Sequence, residues 1–205
     1  MNAPLEARSL VELGYYLMVT PCPTCGEGPL DPSSSPRPAG PVESADVQCR
    51  RCGAEHRWPL ASPLDAPPAG AAGEVINPTD EPSRIVDLAQ WLSVYYLLVE
   101  SAAGGDGDSV TRRQGYRAAL CLAEALKFYG DHDRPPEEAF FHEASRRACR
   151  EHPEGFSRQR LLAMQARLPS LEVMRQWLDD DQDPTPARRW WQFWRRGQDS
   201  SQEPG

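Results

Sequence analysis

The sequence has no long apolar run and no excess of basic residues. Its richest apolar stretch, residues 85–99, is shorter than the roughly 20 residues that a membrane-spanning helix needs, and it includes Asp87 and Gln90. Residues 1–20 lack the basic start, apolar core and cleavage site of a signal peptide. The net charge of −8 predicts no general affinity for nucleic acids or anionic lipids and leaves only a local basic patch open. We therefore expect a cytoplasmic protein.

Motifs of enzyme active sites are also missing from the sequence. The glycine-rich residues 102–109 lack the lysine and the preceding strand of a phosphate-binding loop. Residues 131–143 do gather acidic and histidine side chains: Asp131, His132, Asp133, Glu137, Glu138, His142 and Glu143. A polar turn after one helix and the preference of acids for the first turn of the next explain most of them. The hypothesis of an enzyme, or of an accessory subunit with an unrecognised site, depends on this segment.

Two pairs of cysteines are the most informative feature of the chain. Cys22 and Cys25 lie in PCPTCG, and Cys49 and Cys52 lie in QCRRCG. In each pair the two-residue spacing lets a tight turn direct both sulfurs to one cation, and the glycine that follows permits a positive φ. One pair alone would also suit a redox dithiol. Two matched pairs in a reducing compartment favour a metal site with four cysteine ligands.

These motifs, CPTC and CRRC with their glycines, resemble the two knuckles of a zinc ribbon, a family of small modules built on β-hairpins. The resemblance covers residues 16–60 and implies a structural zinc ion held by the four cysteines. Iron in a rubredoxin-like site has the same ligands. The 23 residues between Cys25 and Cys49 exceed the usual spacing of about 15–20. A Pro- and Ser-rich insert accounts for the excess, because lengthening a loop costs little.

We predict an α+β fold that is mostly α, with a small N-terminal zinc-ribbon β-hairpin module, a helical bundle and a disordered C-terminal tail. The module takes residues 1–60. It begins with a short helix that runs into a strand at residues 16–20, and further strands are expected at residues 42–47 and after Cys52. Residues 61–82 are predicted to be a linker because they are rich in proline and glycine.

The bundle is predicted to take residues 83–178. Its helices are expected at residues 83–102, 109–130, 135–152, 156–168 and 171–178. The first of these is apolar around most of its circumference, with a narrow polar stripe of Asp87, Gln90 and Ser93, and should be central. The second and third weakly resemble a tetratricopeptide unit, although the sequence has no second copy at the expected period.

The tail, residues 179–205, contains acids, prolines and the segment RRWWQFWRR at residues 188–196, and is predicted to be disordered. In a helix, Trp190, Trp191 and Trp194 would share one face. Such a segment suits an apolar groove on a partner or on the protein's own bundle, and suits a membrane interface less well because acids precede it.

Two binding functions follow from these features. The first is a non-catalytic adaptor or regulatory protein of bacterial type that contacts a protein partner, because the metal site is closed and the body is acidic. The alternative is nucleic-acid binding through the ribbon, where Arg50, Arg51 and Arg57 form a basic surface with His56. Residues 1–60 hold five basic and seven acidic side chains, and this balance opposes the alternative.

Overall fold

The computed structural model describes residues 3–33, 41–65, 75–103 and 109–180. Within these ranges the helices are α1 (Leu10–Val19), α2 (Leu88–Ala103), α3 (Ser109–Leu126), α4 (Glu143–Glu151), α5 (Arg158–Ala166) and α6 (Leu171–Asp180). The strands are β1 (Leu30–Pro32), β2 (Val42–Cys49) and β3 (Glu55–Leu64). The predicted α+β class, mostly α, is confirmed.

The strands form one antiparallel sheet in the order β1-β2-β3. In the β2–β3 hairpin Ala45 lies opposite Trp58, and Val47 lies opposite His56. Alternate residues of β2, namely Ala45, Val47 and Cys49, are buried. This alternation fixes the register, because a slip of one residue would turn the buried side chains toward solvent.

The prediction of a strand at residues 16–20 is wrong, because α1 continues to Val19. The apolar residues of this segment recur at helical spacing, and the helix has a cap in which the Glu12 N–H donates to Ser9 Oγ at 3.0 Å. The third strand of the sheet is β1, which follows the first cysteine pair. One arm of the first knuckle is therefore a helix, unlike the paired hairpins of the resemblance.

Helix α2 begins at Leu88 and not at Ser83, and two buried side chains explain the difference. The N–H of Gln90 donates to Asp87 Oδ1, and the N–H of Asp87 donates to Gln90 Oε1, each at 2.9 Å. This reciprocal pair is a capping box, which fixes the start of the helix. The predicted polar stripe is thus wrong, since Asp87 and Gln90 are buried and only Ser93 of the three is exposed.

The helix predicted at residues 135–152 is divided in two. A 3-10 turn at Glu137–Ala139 is followed by α4, which begins at Glu143. Between them the Phe141 N–H donates to Asp87 Oδ2 at 3.1 Å. This hydrogen bond connects the backbone of residue 141 to the start of α2. Because the Phe141 N–H donates to Asp87, it does not donate to a carbonyl group within a helix.

The predicted tail and linker overlap with ordered elements. Helix α6 extends to Asp180, so residues 179–180 are helical, while residues 181–205 and their segment 188–196 lie outside the described residues. In the predicted linker, residues 61–64 complete β3, residues 66–74 lie outside the described part of the chain, and Ile76 is buried.

Helix α1 joins the sheet to the other helices. Tyr16 packs edge-on against Trp58 of β3, with 5.8 Å between ring centroids, and Tyr15 packs against Trp91 of α2 at 5.7 Å. Residues of the sheet and of the helices belong to one apolar core. Because aromatic pairs add about 0.5–1.5 kcal/mol to the burial of their surface, these contacts fix the position of the cysteine turns beside α1.

Glu124 of α3 predicts a pH dependence of stability. Its carboxylate is buried, and burial raises its pKa even though Lys127 Nζ lies 2.8 Å from Oε1. The folded state therefore binds the proton more tightly, so stability rises as pH falls through the folded pKa and the gain is complete below the unfolded value of about 4.3. Glu124→Gln should be at least as stable as the parent protein at pH 7, with the difference lost near pH 4.

Urea unfolding at both pH values measures this difference. Glu143→Gln is the matched control, because hydrogen bonds from Arg150 and Arg146 hold the pKa of Glu143 below its ordinary value. Its substitution should lower stability at pH 7 and show the opposite pH trend. Equal pH profiles for the two variants would contradict the prediction.

Candidate metal centre

The two cysteine turns have the same backbone geometry. In the first, between α1 and β1, the Gly26 N–H donates to the Cys22 carbonyl oxygen at 2.8 Å. In the second, between β2 and β3, the Gly53 N–H donates to the Cys49 carbonyl oxygen at 2.9 Å. Both glycines have φ of 73°, in the left-handed region that side chains with a Cβ disfavour. The glycines therefore allow each chain to turn back beneath its pair of sulfurs.

The four sulfurs form a compact cluster that brings the two turns together. Cys22 Sγ lies 3.8 Å from Cys52 Sγ, and Cys25 Sγ lies 3.7 Å from Cys49 Sγ. All four sulfurs lie within 4.8 Å of one another. The four cysteines are not joined by disulfide bonds. The short distances run between the turns, so one ion at the centre would link α1 and β1 to the β2–β3 hairpin.

These distances fit a tetrahedral thiolate site. Sulfurs about 2.3 Å from a tetrahedral zinc ion lie about 3.8 Å from one another. The Cys22–Cys52 and Cys25–Cys49 distances equal this value to about 0.1 Å, and no sulfur–sulfur distance in the cluster exceeds 4.8 Å. The four cysteines therefore have the geometry to hold one metal ion.

Backbone N–H groups surround the buried sulfurs. The Thr24 N–H donates to Cys22 Sγ, and the Arg51 N–H donates to Cys49 Sγ, each at 3.4 Å. Burial acts to raise the pKa of the Cys22 thiol, but hydrogen bonds, led by that of the Cys25 backbone, lower it to about 5. Such donors stabilise a thiolate, which is the form that binds a metal.

The pKa of the Cys25 thiol shifts in the opposite direction. The Glu27 backbone acts to lower the pKa of Cys25, but desolvation and the three neighbouring sulfurs raise it to about 12. The first thiolate in the cluster thus opposes the ionisation of the next, because like charges at this distance repel. Four thiolates become compatible only with a cation between them, and metal binding would release the remaining thiol protons.

His56 of β3 also contacts the cluster, which the sequence analysis did not predict. Its Nε2 lies 3.3 Å from Cys22 Sγ, and its ring stacks against Trp58 with an interplanar angle of 8°. The alternation of AEHRW indicated only which residues share a face of the strand. The pairing of β2 with β3 then places His56 next to a sulfur that lies 34 residues away in the chain.

His56→Ala should lower the affinity of the cluster for zinc about 10- to 100-fold, the usual effect of removing a hydrogen-bonding neighbour of a metal ligand. His56→Gln, which keeps an N–H donor, should lower it less. Competition with a chromogenic chelator measures both affinities. Equal affinities for the alanine variant and the parent protein would show that the Nε2 contact has no role in metal binding.

Each arginine of the predicted basic surface is paired with a carboxylate. Arg50 pairs with Asp31, Arg57 pairs with Asp46, and Arg51 lies 3.1 Å from Glu27. The side chains of Arg50, Arg57 and Arg51 are exposed by 66%, 73% and 69%, respectively. Exposed pairs of this kind add at most about 1 kcal/mol each to stability. They also neutralise the charge that a phosphate would meet, so the prediction of nucleic-acid contact gains no support from their arrangement.

The acidic and histidine side chains of residues 131–143 do not converge. Among the described residues, the four cysteines are the only group of three or more potential ligand side chains close enough to share an ion. Glu143 is engaged by Arg150 at 2.6 Å. A cavity of about 430 Å³ lies beside this segment, and Glu138 is the one member of the predicted acidic and histidine set that lines it.

No known family model, curated protein or solved structure matches this chain. Within the described ranges, the helices lack the combination of length and apolar character needed to cross a bilayer. The function must therefore be inferred from the side chains and their geometry.

Proposed function

We propose that Cys22, Cys25, Cys49 and Cys52 hold a structural zinc ion in a module of the zinc-ribbon type, and that the protein is a non-catalytic adaptor for a protein partner. The observation that carries the proposal is the distance between the sulfurs of the two turns, 3.7–3.8 Å. Four thiolates fill a tetrahedral zinc shell and leave no position for a substrate, so the ion would stabilise the fold without taking part in catalysis.

The surface next to the cluster supports contact with protein. Leu97 and Tyr96 of α2 are exposed by 53% and 46%, and Leu97 lines a cavity of about 670 Å³ that also borders Gly26–Asp31 of the first turn. Met18, Val19 and Leu30 line the same cavity, and contiguous apolar surface of this kind is typical of protein-binding sites. The paired arginines and the net charge of −8 favour this partner class over nucleic acid.

Elemental analysis of protein purified under reducing conditions tests the metal site. The expected result is one zinc ion per chain. Replacement by cobalt should give the visible absorption of a tetrahedral thiolate complex, and iron would give its own distinct spectrum. Protein that neither contains nor takes up zinc, iron or cobalt would remove the foundation of the proposal.

A photo-crosslinking residue at position 97 tests the partner surface in cells of the native host. A partner should be captured from position 97 and not from position 173, which is also exposed but lies on α6. Binding of DNA or RNA at low salt, abolished by combined Arg50→Glu and Arg51→Glu, would favour the nucleic-acid alternative instead. A negative metal analysis would contradict the metal site alone, and a negative crosslinking result would contradict the partner surface alone.

A further inference from the structure

Three helices enclose a groove that no described residue fills. It has a volume of about 350 Å³ and is lined mostly by apolar residues of α1 and α2, among them Leu10, Gly14, Met18 and Leu98, and by Gln114 and Arg117 of α3. A Cβ atom built on Gly14 would meet no heavy atom within 4 Å, so the absence of a side chain there leaves the middle of the groove open. Met18, at one end, is exposed by 46%.

We propose that the C-terminal segment of the same chain, residues 188–196, binds in this groove and inserts at least one of Trp190, Trp191 and Trp194 above Gly14. An indole is large, flat and mostly apolar, and its burial in an apolar groove is strongly favourable. The arginines at both ends of the segment keep their charged groups in water.

The length of the chain after α6 makes this contact accessible. Helix α6 packs on α3, where Arg175 donates to the Tyr116 hydroxyl at 3.3 Å, and Tyr116 is two residues from Gln114 of the groove, so the chain must pass around α3 to reach it. Five further residues bring α6 to its end at Asp180, a rise of about 7.5 Å. Residues 181–189 then span up to about 30 Å when extended, which exceeds the length of α3.

Charge favours the same path. The residues that connect α6 to the tryptophans include Asp181 and Asp183. Arg113 is exposed on α3, one residue before Gln114. An acidic connection that crosses this part of α3 therefore meets a basic side chain on the way to the groove.

Fluorine NMR of the full-length protein labelled with 5-fluorotryptophan tests the proposal. The chain has six tryptophans, and single Trp→Phe variants assign their signals. In the parent protein, at least one of positions 190, 191 and 194 should show a reduced shift between H₂O and D₂O. Gly14→Leu, which fills the groove and suits a helix, should restore the full shift. Ser93→Leu, on an exposed face of α2, is the matched control and should leave it reduced.

Crosslinking provides a second measurement that does not depend on the folding of the Gly14 variant. Benzoylphenylalanine in place of Trp194 should crosslink to residues 10–18 of the same chain. Full isotope shifts at all three tryptophans together with no such crosslink would overturn the proposal. Protection that depends on protein concentration, or that arises only with anionic vesicles, would also overturn it, in favour of a second copy or a membrane as the occupant.

Discussion

Replacement of Cys52 by serine is expected to abolish metal binding and to destabilise the sheet. Cys52 is exposed, so the substitution removes little packing, and its effect reports the loss of a ligand 3.8 Å from the buried Cys22 sulfur. Structural zinc sites contribute about 10–16 kcal/mol to the folding of small domains. With one thiolate removed, the two turns would lose the ion proposed to join them, and the bound metal should fall from about one ion per chain to near zero.

Metal analysis and hydrogen exchange check this expectation. The amides of β2 and β3 should exchange at least about tenfold faster in Cys52→Ser, which corresponds to about 1.4 kcal/mol or more of lost local stability. Cys149→Ser is the matched control, because this half-buried cysteine of α4 lies outside the cluster. Unchanged metal content in Cys52→Ser, or equal losses in both variants, would contradict the assignment of the ligands.

Asp87→Ala is expected to destabilise the whole helical region. Asp87 is fully buried, and its two carboxylate oxygens accept hydrogen bonds from the N–H groups of Gln90 at 2.9 Å and Phe141 at 3.1 Å. Alanine would leave both N–H groups buried without these partners, at about 1–3 kcal/mol each. The expected loss of about 2–6 kcal/mol is a large part of the 5–15 kcal/mol that stabilises a typical domain.

Asp87→Asn separates the two roles of the carboxylate. Its amide oxygen can still cap α2 by accepting from Gln90, but its NH₂ group then faces the Phe141 N–H, and two donors cannot pair. We expect about half the loss of the alanine variant in denaturant unfolding, with faster exchange at the Phe141 amide. Asp131→Ala, at an exposed position, should change stability by no more than about 0.5 kcal/mol. A loss of less than about 1 kcal/mol in the free energy of unfolding of Asp87→Ala would show that the hydrogen bonds of Asp87 to Gln90 and Phe141 contribute little to stability.

The fold class and the cysteine cluster were predictable because their signals are local. Two identical spacings, each followed by glycine, indicate the same turn twice, and the structure places the four sulfurs together. The helical spacing of apolar residues likewise predicts α1 and α3. The strand at residues 16–20 was wrong because the resemblance to paired hairpins outweighed that helical spacing.

The errors in the bundle have a common physical cause. The apolar spacing predicts a helix from residue 83, but the reciprocal hydrogen bonds of the buried Asp87 and Gln90 set its start at Leu88. The same carboxylate accepts from Phe141, 54 residues later, and so divides the helix predicted at residues 135–152. A sequence pattern contains no information on such a distant partner.

The sequence by itself determined the two matched cysteine pairs, the two glycine turns and the mostly helical class, because each depends on residues a few positions apart. The tertiary structure decided what surrounds them. It placed His56 against the Cys22 sulfur, paired Arg50 with Asp31, and made Asp87 the buried link between α2 and the start of α4. These contacts join residues distant in the chain, and they form only when strand pairing and core packing bring those residues together.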